Sequence, residues 1–193
     1  MIVGVLLAAG AGTRFGGGKL LAPLEDGTPV GVRSARTLRT CVERAVAVVR
    51  PGDAPLESLL RAEGLEVLPF PGAQEGMGAS LAFGVSNVPS ADGWVVALAD
   101  MPFVKPATVE NVVGALRAGA AIVAPVYGGR RGHPVGFGAA VLPELVRLSG
   151  DEGARSLLVQ HSTDIVLLEC DDPGSVRDVD TTSDLPSNLR LDI

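Results

Sequence analysis

Short apolar runs recur along the chain at 2–7, 45–49, 65–68, 94–99, 120–126 and 165–168. Their apolar character is nearly continuous, as expected of parallel strands covered on both faces. Between them the period lengthens to that of a helix. Val109, Val112, Val113 and Leu116 fall at i, i+3, i+4 and i+7, with Pro106 near the start and Gly119 just past the end. Leu56, Leu59 and Leu60 form a second stripe before Gly64, and Leu81, Val85 and Val88 a third. Strand and helix thus alternate as far as residue 119, the signature of βαβ units.

Beyond residue 120 the rhythm loosens. A strand leads into a glycine-rich, hairpin-like stretch at 128–138, followed by a helix over 139–148 and a short helix over 154–160. A strand, a loop and an Asp-rich turn complete the pattern. It predicts an α/β protein: a three-layer αβα, Rossmann-like fold with a mostly parallel sheet and a small β-hairpin and helical region. No internal repeat or linker interrupts it, so residues 1–193 are expected to form a single domain.

Hydrophobic residues make up 47% of the chain and charged residues 20%, enough apolar material for a core and a composition unlike that of disordered chains. The formal charge is −6, which excludes a general nucleic-acid binder, because phosphate-backbone affinity needs positive faces. A phosphorylated ligand must therefore meet a local site. The opening residues lack a charged leader, and no apolar run reaches the roughly 20 residues that span a bilayer. A soluble, cytoplasmic protein without a membrane partner is expected, monomeric by default because no coiled-coil or oligomer seam is visible. Cys41 and Cys170 are too few for a disulfide scaffold or a zinc site and are expected to be small buried hydrophobes.

The first strand empties into Leu7-Ala8-Ala9-Gly10-Ala11-Gly12-Thr13-Arg14-Phe15-Gly16-Gly17-Gly18-Lys19. In an open α/β sheet the first βα loop is the usual phosphate site, and glycines let backbone N–H groups approach an anion closely. Two standard motifs are excluded. The dinucleotide fingerprint needs a glycine where Phe15 stands, and a P-loop ending at Lys19 needs glycine at Thr13 and Ser or Thr at Leu20. A long glycine loop carrying Arg14 and Lys19 remains. Lys19 is one of only two lysines in the chain, which favours a specific role over a flexible loop with two surface charges.

Leu7-Ala8-Ala9-Gly10-x-Gly12-x-Arg14-Phe15-Gly16-x-x-Lys19 resembles the opening signature of the nucleotidyltransferases that include the molybdenum cofactor cytidylyl- and guanylyltransferases. Gln74-Glu75-Gly76-Met77-Gly78-Ala79-Ser80-Leu81, Leu98-Ala99-Asp100-Met101-Pro102, Gly132-His133-Pro134-Val135, Gly150-Asp151-x-Gly153-Ala154-Arg155 and Asp178-Val179-Asp180-Thr181 continue the resemblance in order along nearly the whole chain. The cytidylyl branch is the more similar, since the guanylyl branch typically opens Leu-Ala-Gly-Gly and has an acidic residue where this chain has Gly18. The resemblance implies transfer of CMP from CTP to the terminal phosphate of molybdopterin, releasing pyrophosphate. It places Leu7, Ala8, Ala9, Gly10, Gly12, Thr13, Lys19, Gly76, Ser80 and Asp100 around the nucleotide, with Lys19, Arg14 and Asp100 catalytic. It assigns 1–119 to the nucleotide and 120–193 to the acceptor.

Asp100 ends an apolar strand, where a carboxylate can hold Mg²⁺ or satisfy backbone donors in the turn before Pro102. The resemblance implies the metal role for Asp100, with Asp180 as the second ligand and Mn²⁺ as the alternative ion. The terminal Asp178-Val179-Asp180-Thr181 can equally cap a helix entered near Ser183. Gln74 to Ser80 reads either as a base- or ribose-facing loop or as an ordinary helix cap. His133, beside Arg130 and Arg131, is expected to contact an anionic acceptor together with Arg131. Asp151 and Arg155 are expected to pair and shape the acceptor pocket. Asp171 and Asp172 read as a solvated loop and His161 as a surface residue.

Three rival readings share these residues: a guanylyltransferase, a sugar-phosphate nucleotidyltransferase on the same scaffold, and a carrier that delivers finished cofactor to a molybdenum hydroxylase. A carrier has no need of a metal–triphosphate site, so the Arg14, Lys19 and Asp100 set weighs against it.

Overall fold

The computed structural model describes residues 1–185. Five strands, β1 (Ile2–Ala8), β2 (Arg44–Val49), β3 (Glu66–Pro69), β4 (Gly93–Leu98) and β5 (Ile122–Tyr127), run in one direction, and β8 (Ile165–Glu169) joins them beside β5. Two strands run against them. β6 (Arg130–Arg131) returns from β5 through Gly128 and Gly129, both left-handed at φ 55° and 74°, as a tight two-residue hairpin requires. β7 (Val135–Gly138) then inserts between β4 and β5, antiparallel to both. The order is β3-β2-β1-β4-β7-β5-β6, with β8 on the other side of β5. This is the αβα sheet expected from the apolar runs, mixed by one inserted strand.

Alternation along β1 divides the core. Val3 and Val5 point to one face, packed with Val46, Val48, Leu81, Val85, Trp94 and Phe137. Ile2 and Leu6 point to the other, with Ala45, Ala47, Leu38, Leu56, Leu60, Val95 and Val112. The first face is covered by α3 (Met77–Ser86), α5 (Leu142–Leu145) and α6 (Arg155–Gln160), the second by α1 (Val30–Cys41), α2 (Ala54–Ala62) and α4 (Pro106–Arg117). The helix expected over 139–148 is a 3₁₀ turn, Ala139–Val141, running into the short α5. Helix α1 buries Val30, Gly31, Val32, Ser34, Ala35 and Leu38, three apolar residues mixed with three small ones. Among the described residues no helix is long and apolar enough to cross a membrane.

Two local expectations are corrected, and a third residue gains a partner. Asp172 is 1% exposed and fully hydrogen-bonded, while only Asp171 is solvated. The cysteines are half-buried, and the Cys41 thiol donates to the Thr37 carbonyl, its pKa raised by burial. His161 bonds Glu144 through Nε2 at 2.8 Å, tying α6 to α5.

Leu60 is fully buried on α2, remote from the carboxyl ends of β1 and β4. Leu60→Ala is expected to destabilise by about 2–5 kcal/mol, lowering Tm by roughly 4–20 °C in a chain of this size. Thermal unfolding checks this, and an unchanged Tm would contradict the packing described.

Candidate active site

β1 has β2 on one side and β4 on the other, so the chain reverses its direction of winding at β1. A crevice opens at such a switch point, outside the carboxyl ends of the strands. Here it is a cleft of about 410 Å³ bordered by the glycine loop after β1, Leu98 and Asp100 after β4, and Gly76, Met77 and Ser80 at the start of α3. Glycine makes the loop possible, because Gly12, Gly16, Gly17 and Gly18 all lie in the left-handed region, at φ 57° to 99°. Among the described residues the N–H groups of Gly10, Ala11 and Gly12 have no backbone acceptor, and they border the same cleft.

Lys19 emerges from this loop into a group of carboxylates. Its Nζ donates to Asp100 Oδ2 at 2.7 Å and to Asp180 Oδ1 at 3.4 Å. Burial of the ammonium pulls its pKa down, but the bonds and charges of Asp100 and Asp180 outweigh this and leave it above the ordinary lysine value. Arg14 donates to Asp180 Oδ2 at 2.9 Å. Asp180 arrives here because Val179, 0% exposed, is anchored among Leu24 and Val30, and its N–H donates to the Asp100 carbonyl at 2.8 Å. In an extended segment the residues flanking Val179 project together, away from that anchor. Asp100, Asp178 and Asp180 thus present oxygens within 4.8 Å of one another.

All three donors are hard oxygens, which suits Mg²⁺ or Mn²⁺ better than a soft metal. The helical turn after Asp180 is capped by Thr181, which forms a reciprocal capping box with Asp184. Asp180 is thereby left to face Lys19 and Arg14.

A second cavity of about 230 Å³ adjoins the first and shares Leu7, Met77 and Leu98 with it. Arg131, His133 and Arg155 line it. Asp151 lines the first cleft instead, against Gly76, where a Cβ would strike the Asp151 carboxylate. Among the described residues no ion pair joins Asp151 to Arg155. Gly78 donates to the Gly150 carbonyl at 2.7 Å, which clasps the 150 loop onto the start of α3. Ser80 is buried and donates its hydroxyl back to the Gly76 carbonyl at 3.0 Å.

The imidazole of His133 is half-buried, and its Nδ1 is enclosed without a partner. Burial lowers its pKa to about 4, with Arg131 pushing the same way and Asp100 opposing. At neutral pH it offers hydrogen bonding without charge. Thr13 lies at the start of the 3₁₀ turn Thr13–Phe15 and does not border the cleft. Two polar residues there escaped the sequence reading: Arg50, whose Nε donates to the Ala9 carbonyl at 2.8 Å, and Asp53. Each is a lone charge shortly after β2, with no motif around it to mark it, whereas Asp178 belongs to the Asp178-Val179-Asp180-Thr181 stretch in which Asp180 is the expected ligand.

A glycine loop facing clustered carboxylates at the switch point of a parallel sheet defines a nucleotide-handling α/β protein. The model of the MobA-like NTP transferase domain matches residues 4–165, and the chain belongs to that family of nucleotidyltransferases. It is 31% identical to nicotine blue oxidoreductase of Paenarthrobacter nicotinovorans, over 95% of this chain and 94% of that protein. It is 32% identical to the purine catabolism protein PucB of Bacillus subtilis (strain 168), over 93% and 92%. Rv0371c from Mycobacterium tuberculosis H37Rv superposes with a TM-score of 0.84 at 31% identity, over 95% of this chain and 94% of that one. A complex of Rv0371c with manganese superposes with a TM-score of 0.79.

The depressed pKa of His133 has a consequence for stability. The unfolded chain, with its imidazole near 6.5, binds a proton between pH 6.5 and 4 that the folded chain does not. Stability therefore falls as pH drops through that window, by a term on the order of 3 kcal/mol. His133→Gln is expected to flatten the dependence of Tm on pH between 6.5 and 4, and an identical slope in both proteins would remove the effect from His133.

Proposed function

We propose that the protein transfers CMP from CTP to the terminal phosphate of molybdopterin or its metal-bearing form, releasing pyrophosphate. The observation that carries this is the Leu7-Ala8-Ala9-Gly10 loop opening onto Lys19, Asp100 and Asp180 at one end of a two-part cleft. In this reading the free N–H groups of the glycine loop receive the triphosphate, with Arg14 and Lys19 balancing its charge. The base lies toward Gly76, Ser80, Arg50 and Asp53. The adjoining cavity takes the acceptor, with Arg131 and Arg155 supplying charge and His133 a neutral hydrogen bond. The division of 1–119 for nucleotide and 120–193 for acceptor then holds except for Asp151, Asp178 and Asp180, which the second half lends to the first.

Asp100 and Asp180, with Asp178, would hold Mg²⁺ or Mn²⁺, and the manganese complex of Rv0371c supports such a site. The bound ion supplies charge neutralisation and polarisation at the phosphates. The acceptor phosphate is already ionised near neutral pH, so its oxygen attacks the α-phosphorus directly. One P–O bond forms as the bond to the bridging oxygen of pyrophosphate breaks, and no general base is needed. What the protein contributes is alignment and preorganised positive charge. The name of the oxidoreductase relative raises a redox alternative, which the missing glycine at Phe15 in the dinucleotide fingerprint does not favour.

A thermal-shift panel of CTP, GTP, ATP, UTP and NADPH, with and without Mg²⁺ or Mn²⁺, tests the reading. Ligand at ten times Kd adds about 1.4 kcal/mol, roughly 3–6 °C for this chain. A shift confined to CTP with metal is expected. A GTP preference would replace it with guanylyl transfer, and an NADPH shift alone would overturn it. Lys19→Ala and Asp100→Ala are each expected to lower turnover by about 10²–10³-fold with an unchanged circular dichroism spectrum. Near-normal turnover in either variant removes that residue from the machinery.

A further inference from the structure

The metal-facing carboxylates Asp178 and Asp180 and the acceptor-side residue His133 come from separate stretches of chain, yet one short segment touches both. It is the 3₁₀ turn Pro173–Val176, introduced by Asp172. On one side the carbonyl of Ser175 accepts from the His133 N–H at 2.7 Å. Gly132 packs so closely on Ser175 that a Cβ there would collide with the Ser175 carbonyl. On the other side the chain continues three residues past Val176 to Val179, which bonds the Asp100 carbonyl. The position of this turn therefore sets the position of both parts of the cleft.

Asp172 holds the turn in place. Its Oδ2 accepts from the backbone N–H of Lys105 at 2.9 Å and from the Thr108 hydroxyl at 2.6 Å, while Oδ1 accepts from the Gly174 N–H at 3.0 Å. Asp172 is 1% exposed, and its carboxylate joins two donors from the start of α4, Lys105 and Thr108, to one from its own turn, Gly174. Helix α4 has no cap from the Lys105 side chain, and Asp172, 67 residues away, accepts from the Lys105 backbone N–H as an N3 side chain does in a capping box. A negative charge there also complements the positive end of the helix dipole.

Three further contacts confirm that the docking is close. Gly174 lies against Phe103, where a Cβ would overlap the Phe103 carbonyl oxygen. The Lys105 ammonium donates to the Asp171 carbonyl at 2.6 Å, and the Arg177 guanidinium lies 4.5 Å from the Phe103 ring centroid. Residues 171–179 are thus fastened along 100–105, the loop that follows β4 and begins with Asp100.

We infer that Asp172 is a positioning residue for the whole cleft: its buried carboxylate fastens the 172–180 segment to the start of α4, aligning Asp178 and Asp180 with Asp100 while fixing the backbone of His133. The metal consequence rests on the function proposed above, whereas the backbone consequence does not. Asp172→Asn keeps the side-chain shape but cannot accept all three hydrogen bonds, since its amide nitrogen must face a donor. Thr108→Val removes one donor at nearly constant volume, and Thr108→Ser restores it.

Amide hydrogen exchange, followed residue by residue, tests the inference without metal or substrate. In Asp172→Asn the amides of His133 and Val179 are expected to exchange at least tenfold faster, with those of Val46 and Val48 in β2 unchanged. Thr108→Val should show a smaller change in the same two amides, and Thr108→Ser should return them to wild-type rates. Leu60→Ala is the control for a merely structural loss, lowering Tm without singling out these amides. Unchanged exchange at His133 and Val179 in folded Asp172→Asn, or acceleration shared equally with β2, would overturn the inference.

Mn²⁺ titration read by electron paramagnetic resonance follows the second consequence. Asp172→Asn is expected to weaken Mn²⁺ at least tenfold, while Leu60→Ala leaves it unaltered. Wild-type protein that binds no Mn²⁺ would sink the proposed metal site, with exchange still deciding the role of Asp172. Equal Mn²⁺ affinity in wild type and Asp172→Asn would overturn the claim that Asp172 aligns the carboxylates.

Discussion

Three carboxylates with oxygens inside 4.8 Å are the constraint around which the rest of this molecule is arranged. At an effective dielectric of about 20, each such pair repels by about 3.5 kcal/mol or more. A fold tolerates that only with counter-charge nearby and a backbone that cannot relax. Lys19 and Arg14 supply the first, setting two positive charges against three negative. The second comes from Val179, buried and bonded to the carbonyl of Asp100 itself. Repulsion between the side chains is resisted by attraction between the backbones that carry them.

The sheet explains why this meeting occurs where it does. β1 and β4 are parallel neighbours, so the loops leaving their carboxyl ends emerge side by side, one with Lys19 and the other with Asp100. Winding that began toward β2 and resumes at β4 leaves the crevice between those loops uncovered. The inserted β7 then separates β4 from β5, and the turn that precedes it carries Gly132 and His133 to the adjoining cavity. A strictly parallel sheet would have put another crossover helix in this place. The break in the parallel pattern and the second half of the cleft are the same structural event.

Much of the fold was legible because the physics that writes it is local. Continuous apolar runs need no partner to be recognised as doubly covered strands, and Val109, Val112, Val113 and Leu116 announce their helix unaided. Helix α1 was harder to see, because its buried residues Val30, Val32 and Leu38 are interspersed with Gly31, Ser34 and Ala35, whose value lies in close approach and not in hydrophobicity. The glycine loop and Asp100 were legible for the same local reason, as a strand end followed by unusual chemistry. Asp172 was not. Two of its three donors, Lys105 and Thr108, lie more than 60 positions away, and an aspartate in a turn has the same sequence whether solvent or a distant helix satisfies it.

That difference between aspartates is also one of energy. Pairs such as Arg36 with Glu63 and Arg44 with Glu66 lie at the surface, where water competes and each contributes little. Asp172 has no water to fall back on, so each of its three donors is needed, and losing one exposes the desolvation cost of a buried charge. A surface pair bends to many geometries, whereas a buried carboxylate with three fixed donors accepts essentially one. Such a group suits a place where two chain segments must be held in register so that three carboxylates stay within 4.8 Å of one another. Asp100 and Asp180 are partly exposed and satisfied by side chains that can move. Behind them the buried Asp172 is held by two backbone amides and one hydroxyl, and the division leaves the front free to exchange partners while the frame stays fixed.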